Sequence, residues 1–366
     1  MKKVGITTFH NAHNYGAMLQ SFALCSVLGD KYEVELVNYF NHKIYDQYKI
    51  IRPFGKNPFR LLRNLGDDIF HLNSRKNRYN SFEHFMSTNC KMSKMVYSEG
   101  ELKNVDYDVL ITGSDQVWNP KIVGELSNIF TLNFGSDNIK RISYAASVGD
   151  AKMISLNKIE FKKKLAALDM VSVREQDAKE ELDKILEKEV TVVLDPTLLL
   201  TTDQWNIKLK GIKKQEEKYI LAYVVQPDDT YVKIVNDLSE KTGLKVIHFG
   251  LKNPGYKNVL KSAFSEGPLE FVDYIKNAEY VVATSFHATV FSIIFHKKFF
   301  VIPHRVTGAR VTNLLDKLNI KNRNFNCFGE FQNIDYNFET NWNKVDKILD
   351  NERKKSIEWL ISSIEE

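Results

Sequence analysis

The sequence predicts an α/β protein of two domains, each a parallel sheet with helices on its faces, the first carrying a helical insertion. Three observations predict it. The chain opens on a strand–helix–strand pattern, the pattern restarts after about residue 200, and several strand-length runs are apolar on both faces. Strands that lie under helices on both sides read in this way. With 366 residues the chain can bury two separate cores. The expected divisions are 1–200, with the insertion at about 41–100, then 201–335, and a closing C-terminal helix within 336–366.

Residues 3–8 read as the first strand and 9–15 as a polar loop. Leu19, Phe22, Ala23 and Val27 recur at helical spacing across 16–28, and 34–37 is the second strand. The loop between them has neither the G-x-G-x-x-G of a dinucleotide site nor the G-x-x-x-x-G-K of a P-loop. Asn14, Tyr15 and Gly16 stand where it meets the helix, and Gly16 allows close approach of a ligand to the backbone. A simple tight turn reads the same way. His10 and His13 lack a neighbouring acid or cysteine, so no metal site is expected.

From 41 to 100 the α/β rhythm stops. Phe59, Leu62, Leu65 and Ile69 fit one helical face, as do Tyr79, Phe82, Phe85 and Met86, with Arg60, Arg63, Arg75, Lys76 and Arg78 around them. This segment holds 11 Lys or Arg against 5 Asp or Glu, whereas the whole chain carries only +5. The excess suits an acidic acceptor or peripheral contact with anionic lipid, although a core face backed by a solvated face gives the same pattern. No recognition motif for nucleic acid accompanies it.

Strands at 109–112, 141–146, 170–173 and 190–194 continue the first sheet. The first of these runs into Gly113, Ser114, Asp115 and Gln116, a glycine turn followed by hydroxyl, carboxylate and amide. The second ends at Ser147 and Gly149, the third at Arg174-Glu175, which open a helix to about 186, and the fourth at Asp195-Pro196. The Arg174-Glu175 step suits either a catalytic guanidinium or a structural ion pair. Asp106-Tyr107-Asp108 resembles a metal-binding D-x-D but precedes its strand, at the edge opposite to the others.

The second half repeats the pattern with strands at 219–225, 245–249, 280–283 and 299–302, and helices over 231–241, 269–276, 290–295 and, to close, 343–364. The stretch 277–305 organises it. Residues 280–283 stop at Thr284-Ser285, and the helix that follows is apolar nearly all round, which buries it. Ser285, Phe286 and His287 therefore lie at a strand's carboxyl end and a helix's amino end, where open α/β sheets bind ligands and anions are favoured. Arg305 leaves the next strand on the same side, and Arg310 opens one more helix.

The composition, 43% hydrophobic and 27% charged, is that of an ordinary globular protein. Three distant cysteines form no disulfide framework or zinc motif, the start has no signal-peptide core, and no apolar stretch reads as a membrane span, so a cytoplasmic protein is expected, at most peripheral at the inner face of the membrane. Asp115 and His287 form an acid/base pair, and the cations ask for a ligand with more than one negative group.

The segments NAHNYGAMLQSFAL, ITGSDQVWNP, SYAASVG, VSVREQDAKEEL, VLDPTLLL and GPLEFVDYIKNAEYVVATSFHATVFSIIF together resemble the polysaccharide pyruvyl transferase family over most of the chain outside the insertion. The resemblance implies a GT-B-like architecture, two Rossmann-like domains around a cleft, with the acceptor on the first and the donor on the second. It implies transfer of the pyruvyl group of phosphoenolpyruvate onto two hydroxyls of a sugar, in a polysaccharide or lipid-linked precursor, as a ketal. No cofactor is implied. The family's Arg of the VSVRE segment corresponds to Arg174 and its late His to His287. Some members carry Arg-Leu before that His; here Ser285-Phe286 stand there, and Arg305 or Arg310 is the expected replacement cation. In this reading His287 binds the phosphate or protonates the methylene carbon, and Asp115 takes the proton of the attacking hydroxyl. A GT-B glycosyltransferase using a nucleotide sugar, or a non-catalytic sugar-binding protein of an exopolysaccharide pathway, would share the architecture.

Overall fold

The structure is a computed structural model that describes residues 1–51, 66, 69–213, 215–302 and 308–366. The chain divides into two compact units: 1–72 with 82–200 and 350–366, and 73–81 with 201–349.

The first unit is built on a six-stranded parallel sheet in the order β2-β1-β3-β4-β5-β6. Its strands are β1 Lys3–Thr7, β2 Glu33–Leu36, β3 Val109–Thr112, β4 Lys140–Ala146, β5 Met170–Val173 and β6 Val190–Val192. The central strands β3 and β4 are buried almost throughout, as strands of a parallel sheet covered on both faces are. Strand order reverses between β1 and β3, so the crevice at their carboxyl ends is the sheet's topological switch point.

The second unit carries a five-stranded parallel sheet in the order β11-β10-β7-β8-β9. Its strands are β7 Tyr219–Tyr223, β8 Lys245–His248, β9 Val259–Ser262, β10 Tyr280–Ala283 and β11 Lys298–Val301. The switch point here lies between β7 and β10. Helix Phe286–Ile294 leaves β10 with all nine of its residues buried, as a helix apolar nearly all round requires. Trp205 packs edge-on against its Phe291, with ring centroids 4.9 Å apart.

Three expectations differ. β9 was not anticipated: Val259 and Ser262 are exposed at the sheet edge, so the strand lacks the apolar pattern that marks buried ones. The closing helix, Trp342–Glu365, keeps the expected 343–364 to within a residue at each end, but its residues to Leu349 belong to the second unit while those from Asp350 belong to the first. Within the insertion, helix Leu72–Asn89 contributes its 73–81 stretch to the second unit. There the Arg78 guanidinium donates to the Phe264 carbonyl at 3.0 Å and lies 5.0 Å from that ring, and Ser265 Oγ donates to the Ser74 carbonyl at 3.2 Å. Phe82, Phe85 and Met86 of the same helix are buried in the first unit. The Phe59, Leu62 and Leu65 face and Arg60 and Arg63 lie outside the described residues. No helix among the described residues is long and apolar enough to cross a membrane.

Candidate functional site

In the first unit the residues singled out from sequence gather at the carboxyl edge of the sheet. β3 ends in Gly113, whose φ of 113° and whose missing Cβ both matter: a Cβ there would stand 2.2 Å from the Tyr144 carbonyl oxygen of β4. Only glycine fits this approach. Gly113→Ala is expected to cost at least about 2 kcal/mol, from left-handed backbone strain and overpacking together. Differential scanning calorimetry would show it as a lowered unfolding temperature, and an unchanged midpoint would mean that the turn relaxes freely.

The turn then fixes its polar groups. Ser114 N–H donates to Gln20 Oε1 at 3.1 Å, and its Oγ donates to the Ala145 carbonyl at 2.9 Å. Asp115 sits at φ 67°, a conformation aspartate tolerates better than most residues. Its carbonyl accepts from Val117 and Ser147 N–H, and its Oδ1 accepts from Gln116 N–H at 2.9 Å. The Ser147 hydroxyl accepts from Gly149 N–H at 3.2 Å. A Cβ on Gly149 would lie 2.3 Å from Gln116 Oε1, so glycine is what lets these two loops meet.

Arg174 closes the group from β5. Its side chain is 4% exposed, its Nε donates to Glu175 Oε1 at 3.0 Å and its Nη1 to Asp195 Oδ2 at 2.8 Å. The same Asp195 oxygen lies 3.2 Å from Ser114 Oγ, while Asp195 Oδ1 accepts from Thr197 N–H at 3.0 Å and Thr197 Oγ1 at 2.6 Å. Burial by itself pulls the guanidinium pKa down, but Glu175, Asp195 and Asp115 outweigh it and hold the group above its ordinary value. Among the described residues, three carboxylates thus act on this one guanidinium.

Asp195 is the residue that sequence reasoning passed over, since it was read only as the end of β6. The signal was present: an aspartate leaving the strand that pairs with β5, at the same edge as Arg174.

Asn14 is the N-cap of helix Tyr15–Leu28, its Oδ1 accepting from Gly16 N–H at 3.0 Å and Ala17 N–H at 3.2 Å. The backbone donors that would meet an anion there are turned to this cap. Tyr15 is buried with its ring 4.9 Å from Phe82. His10 Nε2 meets Asn38 Oδ1 at 3.3 Å and His13 Nε2 meets Glu83 at 2.8 Å, and burial lowers the His10 pKa. The two imidazoles thus serve separate partners, and no cluster of metal-ligating side chains occurs among the described residues. Lys3 pairs with Asp106 and its N–H donates to Asp108 at 2.7 Å, which places the D-x-D at the amino end of the strands.

In the second unit, Ser285, Phe286 and His287 occupy the switch point between β7 and β10. Thr284 N–H donates to the Tyr223 carbonyl, and its Oγ1 accepts from Val225 N–H at 3.2 Å, pinning the exit of β10 to that of β7. Ser285 is the N-cap residue but forms no side-chain cap; its carbonyl accepts from both Thr289 N–H and Oγ1. His287 is buried in the first turn, its ring edge-on to Phe286 at 5.2 Å. The Arg310 guanidinium, from the start of helix Ala309–Lys317, lies 6.0 Å from the centre of the Phe286 ring. An imidazole, a guanidinium and a helix amino end therefore share one strand edge, a combination that stabilises negative charge. Arg305 lies outside the described residues.

Comparison with known proteins adds two findings. Among solved structures, UDP-N-acetylglucosamine 2-epimerase from Rickettsia bellii aligns with a TM-score of 0.55 at 11% identity, covering 100% of this chain and 97% of the other. The UDP-GlcNAc 2-epimerase from Neisseria meningitidis aligns with a TM-score of 0.52 at 12% identity, covering 99% and 100%. These likenesses place the architecture, two parallel α/β sheets, among GT-B-type folds. No curated protein resembles the chain closely in sequence. A family model does: that of polysaccharide pyruvyl transferase matches residues 14–305.

Proposed function

The chain belongs to the polysaccharide pyruvyl transferase family, and on that premise we propose that it moves the pyruvyl group of phosphoenolpyruvate onto two hydroxyls of a sugar, closing a cyclic ketal. The two units suit different parts of this chemistry. The second offers Arg310, His287 and a helix amino end at one edge, and phosphoenolpyruvate brings a phosphate and a carboxylate to be neutralised. The first has three carboxylates about Arg174, a field that disfavours a multiply charged anion and suits neutral sugar hydroxyls, with Asp115 as the base that receives a proton.

In this mechanism the His287 imidazolium donates a proton to the methylene carbon of phosphoenolpyruvate, C2 gains cationic character, and a sugar hydroxyl adds there while Asp115 accepts its proton. A second hydroxyl of the same sugar then bonds to C2 as the C2–O bond to phosphate breaks, its proton leaving on the phosphate, and the proton held by Asp115 returns through solvent to His287. The acceptor is a unit of a cell-envelope polysaccharide or its lipid-linked precursor, and the enzyme acts on the cytoplasmic side, where phosphoenolpyruvate is made.

The observation that carries the donor assignment is the placement of Arg310 beside Phe286 at the start of the buried helix. Calorimetric titration with phosphoenolpyruvate tests it, with UDP-N-acetylglucosamine as the competing ligand. Phosphoenolpyruvate is expected to bind, and Arg310→Ala to weaken it at least about tenfold, the loss of one charge-assisted contact. Binding of the nucleotide sugar alone would move the protein to nucleotide-sugar chemistry.

A further inference from the structure

On the helices that follow β4, the first unit presents two exposed apolar side chains among lysines. Helices Lys152–Leu156 and Lys158–Leu165 follow one another through Asn157. They turn Ile154, Phe161 and Leu165 to the core, all fully buried. On the outer side, helical spacing groups Lys152 with Leu156, and Ile159 with Lys162 and Lys163. Leu156 is 76% exposed and Ile159, at 87%, is the most exposed large apolar side chain among the described residues.

The surrounding charge is mostly uncommitted. Lys152, Lys158 and Lys163 have no ion-pair partner among the described residues, and Lys162 meets only the exposed Glu187 at 3.1 Å. Of the acids nearby, Glu160 accepts from Leu126 N–H at 3.1 Å, Glu181 pairs with Lys184 at 2.5 Å while also feeling the charge of Lys158, and Asp150 Oδ1 accepts from Lys152 N–H at 3.1 Å, so the lysines are offset only in part.

We propose that this face rests on an anionic lipid surface, with Leu156 and Ile159 entering the acyl boundary and the four lysines meeting headgroup phosphates. Apolar tips ringed by long cationic side chains are what an interfacial helix pair needs, since the lysine stems cover apolar surface while their heads stay in water. Charge selects this occupant. A second copy docking through the same patch would set lysines against lysines, whereas an anionic leaflet attracts every one of them. The inference stands apart from the reading of the catalytic residues and holds or fails without it.

The test is co-sedimentation of the full chain with phosphatidylcholine vesicles, with and without phosphatidylglycerol, at low and high salt. Binding is expected to the anionic vesicles only and to fall in high salt. Leu156→Ser with Ile159→Ser, and separately Lys152→Glu with Lys158→Glu and Lys163→Glu, should each weaken it at least about tenfold. Their unfolding temperatures should stay unchanged, because the replaced side chains are exposed. Failure of the wild type to sediment, equal binding to neutral vesicles, or sedimentation of both variants like wild type would overturn the proposal. So would a dimer in size-exclusion chromatography that the serine variant abolishes, which would give the face to a second copy.

Discussion

Arg174→Ala is expected to lower the unfolding temperature of the first unit by on the order of 10 °C. The guanidinium is 4% exposed and bridges two carboxylates, Glu175 at 6% and Asp195 at 0%. Removing it strands both charges in the interior, and breaking a buried pair in this way costs about 3–5 kcal/mol. For a unit of this size each kcal/mol moves the midpoint by about 2–4 °C. Arg174→Lys should lose less, although a single ammonium cannot reproduce the two-directional fork that reaches Glu175 through Nε and Asp195 through Nη1. Adding Asp195→Asn to Arg174→Ala should recover part of the loss, because it removes one stranded charge. Calorimetry on the three variants checks this, and a wild-type midpoint for Arg174→Ala would show that the ion pairs carry no stability. The prediction also bears on activity: loss of turnover in Arg174→Ala would report a damaged strand edge before it reported a missing catalytic group.

His287→Ala should behave in the opposite way, keeping the fold and losing the reaction. The residue stands in the first turn of a helix whose following residues are all buried and mostly apolar, and alanine is the best helix former, so the helix is kept. Loss of a general acid typically costs about 10²–10⁴-fold in rate. The expected result is therefore a fall of that order in acceptor-dependent phosphate release from phosphoenolpyruvate, with circular dichroism unchanged. Turnover at the wild-type rate would sink the assignment of His287. Paired with the Arg310→Ala titration, the variant separates roles: Arg310 is expected to act on binding and His287 on the chemical step.

Much of the fold was legible because it is written locally. Residues 109–112, 170–173 and 280–283 are short apolar runs bounded by polar turns, and each is a strand with those limits. The edge strand β9 was not legible, since half-solvated residues carry no apolar signal. Nor was the transfer of 73–81 to the second unit, which depends on Arg78 reaching Phe264 across 186 positions of sequence.

For the candidate sites the division is similar. Which strands end in chemistry-bearing residues could be read along the chain, because a strand's carboxyl end and a helix's amino end are set by neighbouring residues. The family was legible in the same way, through motifs spread along the chain. What those residues do to one another came from packing in three dimensions. Parallel pairing of β5 with β6 brings Asp195 onto Arg174, converting an apparently available cation into a compensated one. Strand order sets β10 beside β7 and makes the start of helix Phe286–Ile294 a switch point, and packing of the next helix brings Arg310 to Phe286. Charge compensation and ligand geometry act through space over a few ångströms, and the neighbours at that range are chosen by sheet order, not by position along the chain.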